Sequence, residues 1–177
     1  MIVWRLAPRR HAGSLDGAGN RDNGARWNSG RGRGIVYASL NVATCVLETF
    51  VHFGPTLRAK LPDNLVLVEL QVPDDAGVLR IEADEIPADA DVSGADRRTW
   101  YQRTGDAWLE RAETLVLIAP SIVVPKELNA VLNPAHPRMA DVTIVASEPF
   151  RLDPRLATGA EEPSLPPTTA ISTRPRS

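Results

Sequence analysis

Residues 24–53 read GARWNSGRGRGIVYASLNVATCVLETFVHF and decide the predicted fold of this chain. The segment 34–39 predicts a short strand, because β-branched and aromatic residues follow a glycine. Ser39 or Asn41 can cap the helix that follows, since either side-chain oxygen can accept a free backbone N–H. Apolar residues then recur at helical spacing between residues 42 and 53. The order is therefore a glycine- and arginine-rich loop, a strand and an amphipathic helix.

Short apolar runs elsewhere in the chain predict further strands. They lie at residues 2–6, 65–72, 78–86, 115–119 and 142–146. Residues 99–112 predict a second helix, although it contains Gly105, a residue of low helix propensity. Residues 121–132 read as an extended piece with a turn or short helix, and residues 7–34 as one long irregular segment. The arginines and the tryptophan of that long segment favour a binding role over disorder.

The composition is that of one ordinary globular domain. The chain has 177 residues, of which 43% are hydrophobic and 24% charged. The net charge of −2 gives no overall field for nucleic acid or an anionic membrane. Cys45 is the only cysteine, so an internal disulfide is excluded and a reducing cytoplasm is expected. The N-terminal apolar run is interrupted by Arg5 and is too short for a signal sequence or a membrane span.

Charge is distributed unevenly along the chain. Residues 1–35 hold seven arginines and two aspartates, whereas residues 81–96 hold six acidic residues and no basic one. A basic loop suits a phosphate-bearing ligand or an acidic partner segment, although a charge run alone more often marks a solvated surface. Residues 157–177 hold four prolines and no aromatic residue, which predicts a disordered tail after a domain at residues 1–156.

Three residues of the deciding stretch have the chemistry of a dinucleotide site. Arg26 can pair bidentately with phosphate oxygens. Tyr37 lies at the end of the predicted strand, and Glu48 lies in the predicted helix, where a carboxylate can stabilise a cation-like sugar. Residue type alone leaves three other interpretations open: a solvated loop arginine, a core tyrosine and a helix-surface glutamate.

The order and spacing of several short motifs resemble the RES domain, a family of NAD-consuming toxins of bacterial toxin–antitoxin pairs. The motifs span nearly all of residues 2–156 and comprise Arg5, GARWNS (24–29), VYAS (36–39), Glu48, GDAW (105–108), APS (119–121), LNPAHP (132–137) and FRLDPRL (150–156). This chain departs from the family pattern at two loop positions. Ala25 stands where a glycine is usual, and Ser29 stands where a proline is common.

The resemblance implies an α+β fold with a small mixed or antiparallel β-core surrounded by helices, as in ADP-ribosyltransferases. It also implies that NAD⁺ is a substrate and that no recycled cofactor is needed. The residues implied in NAD⁺ binding are Arg26, Trp27, Asn28, Tyr37 and Ser39. Those implied in catalysis are Glu48, which stabilises the oxocarbenium-like ribose, together with Arg26, Tyr37 and Ser121.

The resemblance leaves the acceptor of the ADP-ribosyl group open among water, phosphate and a protein side chain. It implies an Xre-like helix-turn-helix antitoxin as partner, with any DNA contact made by the antitoxin, and it allows a homodimer within that complex. Ser121 could equally be a turn residue, and Asn133 and His136, next to prolines, favour a rigid turn over a cleft role. No metal site is expected, because one cysteine and three scattered histidines lack ligand spacing.

Two other classes of function remain as alternatives at this point. The arginine-rich loop and the scattered histidines, His11 and His136 among them, could serve an RNA-cleaving toxin. Alternatively, the loop could dock an acidic partner without catalysis. A P-loop is excluded, because the GRGRG run at residues 30–34 has no preceding strand and no Lys-Ser/Thr ending.

Overall fold

The computed structural model describes residues 1–53 and 62–156, so the predicted tail at 157–177 lies outside the described residues. Within these ranges the chain forms seven strands and two α-helices. The strands are β1 (Ile2–Pro8), β2 (Val36–Ser39), β3 (Leu65–Gln71), β4 (Val78–Arg80), β5 (Val116–Pro120), β6 (Leu128–Leu132) and β7 (Thr143–Phe150), and the helices are α1 (Val42–Val51) and α2 (Trp100–Arg111).

All seven strands form one mixed sheet in the order β4-β5-β6-β2-β1-β3-β7. Only the β4–β5 pair is parallel. In the centre, β1 pairs with β3 along its whole length, but its paired register with β2 consists of Trp4 opposite Ser39. The sheet therefore opens between β1 and β2. This architecture confirms the predicted α+β class with a largely antiparallel core.

The hydrophobic core is divided into three clusters. The largest joins strands from both halves of the sheet and includes Val3, Val68 and Leu132. A second cluster packs α2 and the glycine-rich loop on the sheet, and a third packs α1 on β1 and β3. The two helices thus pack in different clusters, and α1 contacts strands on both sides of the gap between β1 and β2.

Local side-chain chemistry sets where both helices begin. Asn41 caps α1, because its Oδ1 accepts the backbone N–H of Thr44 at 2.8 Å. The other predicted cap, Ser39, is instead the last residue of β2. Thr99 begins α2 in a reciprocal capping box with Gln102. The start of this helix, within one residue of the predicted bound, is therefore encoded locally.

Gly105 lies inside α2 for a packing reason. A Cβ added at this position would lie 1.9 Å from the carbonyl oxygen of Trp27, in the glycine-rich loop. The loop backbone therefore rests directly on the helix, which a side chain would prevent. This contact explains why glycine occupies a helix position despite its low helix propensity.

The long segment before β2 is irregular, as predicted, but it is held by buried amides. Asn28 is fully buried, and its Nδ2 donates to the backbone oxygens of Asn20 at 2.9 Å and Arg33 at 2.7 Å. The Asn20 side chain bonds both the N–H and the carbonyl of Ile35, each at 2.8 Å. These bonds satisfy the loop backbone from within, so the loop has a defined shape without regular structure.

Two predicted segments differ in detail from the structure. The run 78–86 forms a strand only at Val78–Arg80 and then a 3₁₀ turn at Ala83–Glu85. The run 121–132, predicted as an extended piece with a turn or short helix, forms a turn and then β6, which pairs with a strand on each side. Among the described residues, no helix is both long and apolar enough to cross a bilayer.

Candidate active site

A cleft of about 590 Å³ opens where β1 and β2 separate, between α1 and the glycine-rich loop. Apolar and polar groups both line it, as is usual for a small-molecule site. Its polar lining includes Arg5, Arg26, Tyr37, Ser39, Glu48 and Asn129. Four of the seven residues predicted for the site are in this set, together with two that the sequence reading did not assign a role. Trp27 lines the cleft as well.

Glu48 extends from α1 into the cleft and is held by two donors. Its Oε1 accepts from Ser121 Oγ at 2.7 Å and from Asn129 Nδ2 at 2.5 Å. Ser121 Oγ in turn accepts the backbone N–H of Val124 at 2.9 Å. No described residue donates to Oε2. One carboxylate oxygen is thus fixed by two side-chain donors.

Asn129 is a residue of the site that the sequence reading missed. It lies opposite Ser39 on β2 and opposite Ala119 on β5. Ser39 Oγ donates to Asn129 Oδ1 at 2.7 Å, which orients the amide so that its N–H₂ faces Glu48. The only signal in the sequence was a polar residue within the apolar run LNAVL, and its meaning depended on the strand register.

Tyr37 links the sheet to the glycine-rich loop. Its hydroxyl oxygen accepts the backbone N–H of Trp27 at 2.9 Å, and the hydroxyl donates to Asn28 Oδ1 at 3.3 Å. Burial raises the pKa of Tyr37 above its ordinary value, so the phenol keeps its proton at neutral pH. Asn28 therefore contacts the cleft residue Tyr37 through this hydrogen bond. The indole of Trp27 packs edge-on against Tyr101, with ring centroids 5.1 Å apart.

Arg26 lies at the rim of the cleft and is already paired. Its Nη1 lies 2.7 Å from Asp91 Oδ1, and its guanidinium carbon lies 4.7 Å from the ring centroid of Tyr101. Asp91 belongs to the acidic segment 81–96 that the sequence singled out. The acidic segment and the basic loop therefore meet at this arginine.

Arg5 reaches the cleft from β1. Its Nη1 donates to the carbonyl oxygen of Ser14 at 2.5 Å. Burial lowers the pKa of Arg5, and the nearby charge of Asp16 partly opposes this shift. Cys45 also lines the cleft, and burial raises the pKa of its thiol to about 12, so it is a poor nucleophile at neutral pH.

Ser29, at a position where the family pattern often has proline, donates two hydrogen bonds to Asp106. Its backbone N–H donates to Asp106 Oδ1 at 3.0 Å, and its Oγ donates to Oδ2 at 2.6 Å. Asp106 is buried in α2 and also pairs with Arg98 at 3.1 Å. Proline has no N–H and could not make the first of these bonds. The departure thus adds an attachment between loop and helix.

The remaining candidate residues lie in structural positions. Asn133 is fully buried; its Nδ2 donates to the carbonyl of Leu109 at 3.3 Å. The ring nitrogen Nδ1 of His136 accepts the backbone N–H of Arg138 at 3.1 Å, which caps a 3₁₀ turn. The lining of the cleft includes neither His11 nor His136. Within the described residues, no group of three or more His, Cys, Asp or Glu could hold a metal ion.

The fold and the cleft define the class: an α+β protein with an ADP-ribosyltransferase-like β-core and a glutamate at the opening of its sheet. The model of the RES domain matches residues 2–153. The chain therefore belongs to the RES domain family, as the order of its motifs had indicated.

Relatives over most of the chain support this membership. A protein of Sphingobium sp. (strain YBL2), named Prs ADP-ribosylating toxin, is 35% identical over 158 residues, which cover 86% of this chain and 94% of that protein. A protein of Yersinia enterocolitica, named Toxin Res, is 30% identical over 159 residues, 88% of this chain and 99% of the relative. The chain is thus a RES-domain toxin by family.

A solved structure has the same fold. It is the toxin–antitoxin complex MbcT–MbcA of M. tuberculosis, which aligns with a TM-score of 0.59 and 18% identity over 88% of this chain and 86% of the matched chain. At that identity the likeness concerns the fold alone.

Proposed function

We propose that this toxin breaks the nicotinamide–ribose bond of NAD⁺ and passes the ADP-ribosyl group to water or phosphate. The observation that carries the proposal is the state of Glu48. Ser121 and Asn129 fix one carboxylate oxygen, and Glu48 lines a cleft large enough for part of a dinucleotide. A fixed carboxylate can favour a transition state in which positive charge develops on the sugar.

The bond electrons move to the nicotinamide nitrogen, which loses its positive charge and leaves as neutral nicotinamide. The positive charge passes to the anomeric carbon and ring oxygen of the ribose, beside Glu48. An oxygen of water or phosphate then bonds to that carbon, and water loses its proton to solvent. Because the leaving group departs neutral, the reaction needs no strong general acid in the cleft.

The other residues of the cleft have positioning roles in this proposal. Arg26 binds a phosphate at the rim, and Trp27 and Tyr37 form an aromatic wall for the nicotinamide ribose. Ser39 acts through Asn129, which it orients toward the glutamate. Asn28 acts through the loop that it holds in shape.

The test is nicotinamide release from NAD⁺ by the purified protein, measured with and without phosphate. We expect release by the wild type and its loss in Glu48→Gln. Glu148→Gln serves as the matched control, because Glu148 is an exposed residue of the edge strand β7 and is not part of the cleft lining. A stimulation by phosphate would identify phosphate as the acceptor. A folded wild type that releases no nicotinamide would contradict the proposal.

A second candidate is transfer of ADP-ribose to a protein. The name of the Sphingobium relative, an ADP-ribosylating toxin, favours it. The first chemical step is the same, and only the acceptor differs. NAD⁺ labelled in its adenylate separates the two: label on a protein band in a lysate supports transfer, whereas free ADP-ribose or its phosphate ester supports hydrolysis or phosphorolysis.

We further propose that an Xre-like antitoxin silences the enzyme in the cytoplasm, where NAD⁺ is present. The fold neighbour was solved as a toxin–antitoxin complex, which supports an antitoxin of some kind. Nicotinamide release should stop at saturating antitoxin and return when the antitoxin is removed. Light scattering of the complex tests whether it contains two copies of this chain.

A further inference from the structure

We propose that a second pocket, here called the loop pocket, binds a mononucleotide outside the cleft that contains Glu48. The loop pocket has a volume of about 550 Å³, which is within the range of small-molecule sites. Its lining includes Asp16, Arg21, Arg33, Gly34, Leu109 and Pro134. None of these residues lines the cleft, so the proposal does not depend on the turnover of NAD⁺.

The boundary between the two cavities includes a contact within the glycine-rich loop. Gly17 lines the cleft, and Gly34 lines the loop pocket. Their backbones are in contact, because a Cβ added to Gly17 would lie 2.7 Å from the carbonyl carbon of Gly34. The loop pocket is therefore a separate cavity and not an extension of the cleft.

Two arginines of the loop pocket have donors that the described residues do not use. Nη2 of Arg33 lies 3.5 Å from Glu110 Oε1, which is longer than a charge-assisted hydrogen bond, and no described residue accepts a hydrogen bond from this guanidinium. Nη2 of Arg21 donates to the carbonyl oxygen of Asp16 at 2.8 Å and lies 3.9 Å from its carboxylate. A guanidinium has five N–H donors in a fork that matches phosphate oxygens. The two side chains therefore supply phosphate-binding groups to the loop pocket.

Asp16 favours a sugar phosphate over a bare anion. Its Oδ1 accepts from Ser14 Oγ at 2.7 Å and from the backbone N–H of Ala18 at 3.0 Å. These bonds lower the pKa of Asp16, so its carboxylate is charged at neutral pH. A charged carboxylate repels phosphate but accepts hydrogen bonds from hydroxyl groups. A ligand with sugar hydroxyls beside its phosphate therefore fits the loop pocket better than orthophosphate does.

The remaining side of the loop pocket is apolar. Leu109 comes from α2, and Pro134 comes from the turn at residues 132–137. The buried side chain of Asn133 holds this turn, because its Oδ1 accepts the N–H of Ala135 at 3.0 Å and its Nδ2 donates to the carbonyl of Leu109 at 3.3 Å. An apolar wall beside a sugar-phosphate site suits a nucleobase. The three sides together therefore match the phosphate, the sugar and the base of a mononucleotide.

The test compares three probes, AMP, adenosine and orthophosphate, each titrated calorimetrically into the full chain at constant ionic strength. Adenosine lacks the phosphate, and orthophosphate lacks the sugar and the base. Arg33→Gln is the test variant. Arg31→Gln is its matched control, because Arg31 is an exposed arginine of the same loop and is not part of the pocket lining. We expect AMP to bind the wild type about tenfold more tightly than either other probe, Arg33→Gln to weaken AMP binding about tenfold, and Arg31→Gln to change it little.

Phenylglyoxal modification of the wild type, mapped by mass spectrometry, locates the bound nucleotide without a variant, in case Arg33→Gln does not fold. AMP should protect Arg21 and Arg33 from modification and leave Arg31 reactive. Protection of Arg26 alone would locate AMP in the cleft and overturn the proposal, as would equal AMP affinities in Arg33→Gln and Arg31→Gln. Adenosine or orthophosphate that binds as tightly as AMP would overturn the mononucleotide as the ligand. Nicotinamide release by the same samples tests the proposed function separately, because Glu48 lies outside the loop pocket.

Discussion

The two walls of the cleft are built in different ways. One wall carries Glu48 on a helix and its partners Ser121 and Asn129 at the end of β5 and in β6, so regular structure sets the position of the carboxylate. The other wall is the glycine-rich loop, where Arg26 is held by an exposed ion pair and the loop itself by buried amides. The difference suggests that the first wall governs the chemical step and the second governs ligand binding.

The largest expected effect separates the two walls kinetically. Glu48→Gln should lower kcat for nicotinamide release by about a hundredfold or more with little change in KM, because the carboxylate acts mainly in the transition state. Arg26→Gln should mainly raise KM, because it binds a phosphate in both states. Steady-state kinetics of the two variants measure this. Equal losses of kcat in both variants would show that catalysis and ligand binding are not divided between the two walls.

The next effect concerns the contact that holds the loop wall to α2. Gly105→Ala should destabilise the protein by about 1–3 kcal/mol, because its Cβ would overlap the carbonyl oxygen of Trp27. Gly13→Ala is the control, since a Cβ there would meet no atom within 4 Å. Urea denaturation gives both values. A Gly105→Ala protein as stable as the control would mean that the loop can move away from α2 without lowering the free energy of unfolding.

The helix wall should also respond to alkaline pH. The folded state raises the pKa of the Cys45 thiol from 9.0 to about 12. The stability linked to this thiol is therefore complete below pH 9 and is lost as pH rises toward 12, by at most about 1.4 kcal/mol per pH unit.

Cys45→Ala removes this linkage but leaves the other titrating groups in place. Between pH 8 and 10.5, wild type should lose about 1–2 kcal/mol more stability than Cys45→Ala. Urea denaturation at the two pH values measures the difference. Equal losses of stability in the two proteins would show that the thiol is accessible to solvent in the folded state.

The smallest effect concerns the ion pair at the rim. Asp91→Asn should lower KM for an anionic substrate a few-fold, because the ligand phosphate no longer competes with a carboxylate for Arg26. Asp89→Asn, an exposed neighbour in the same acidic segment, controls for the change in net charge. The difference in KM between the two variants should be smaller at high salt. An unchanged KM in Asp91→Asn would mean that the ligand does not compete with Asp91 for the guanidinium of Arg26.

Much of the fold was predictable because its signals are local. The helical pattern at 99–112, the helical spacing after Asn41 and the apolar run at 65–72 each predicted an element that the structure contains. The ends of the loop and the role of Gly105 were not predictable, because they depend on a backbone contact between segments far apart in sequence. The extended piece within 121–132 was predicted, but its bounds and its place in the sheet were not, since the pairing partners of β6 lie elsewhere in the chain.

The sequence by itself determined the family and the chemical groups, because motif order and residue types are one-dimensional information. It named Arg26, Tyr37, Glu48 and Ser121 but left most of their contacts unknown. Only the tertiary structure decided that Asn129 donates to Glu48, that Asp91 forms an ion pair with Arg26, and that Arg5 lines the cleft. The first two of these contacts join residues 81 and 65 positions apart, and strand register and loop packing bring them together.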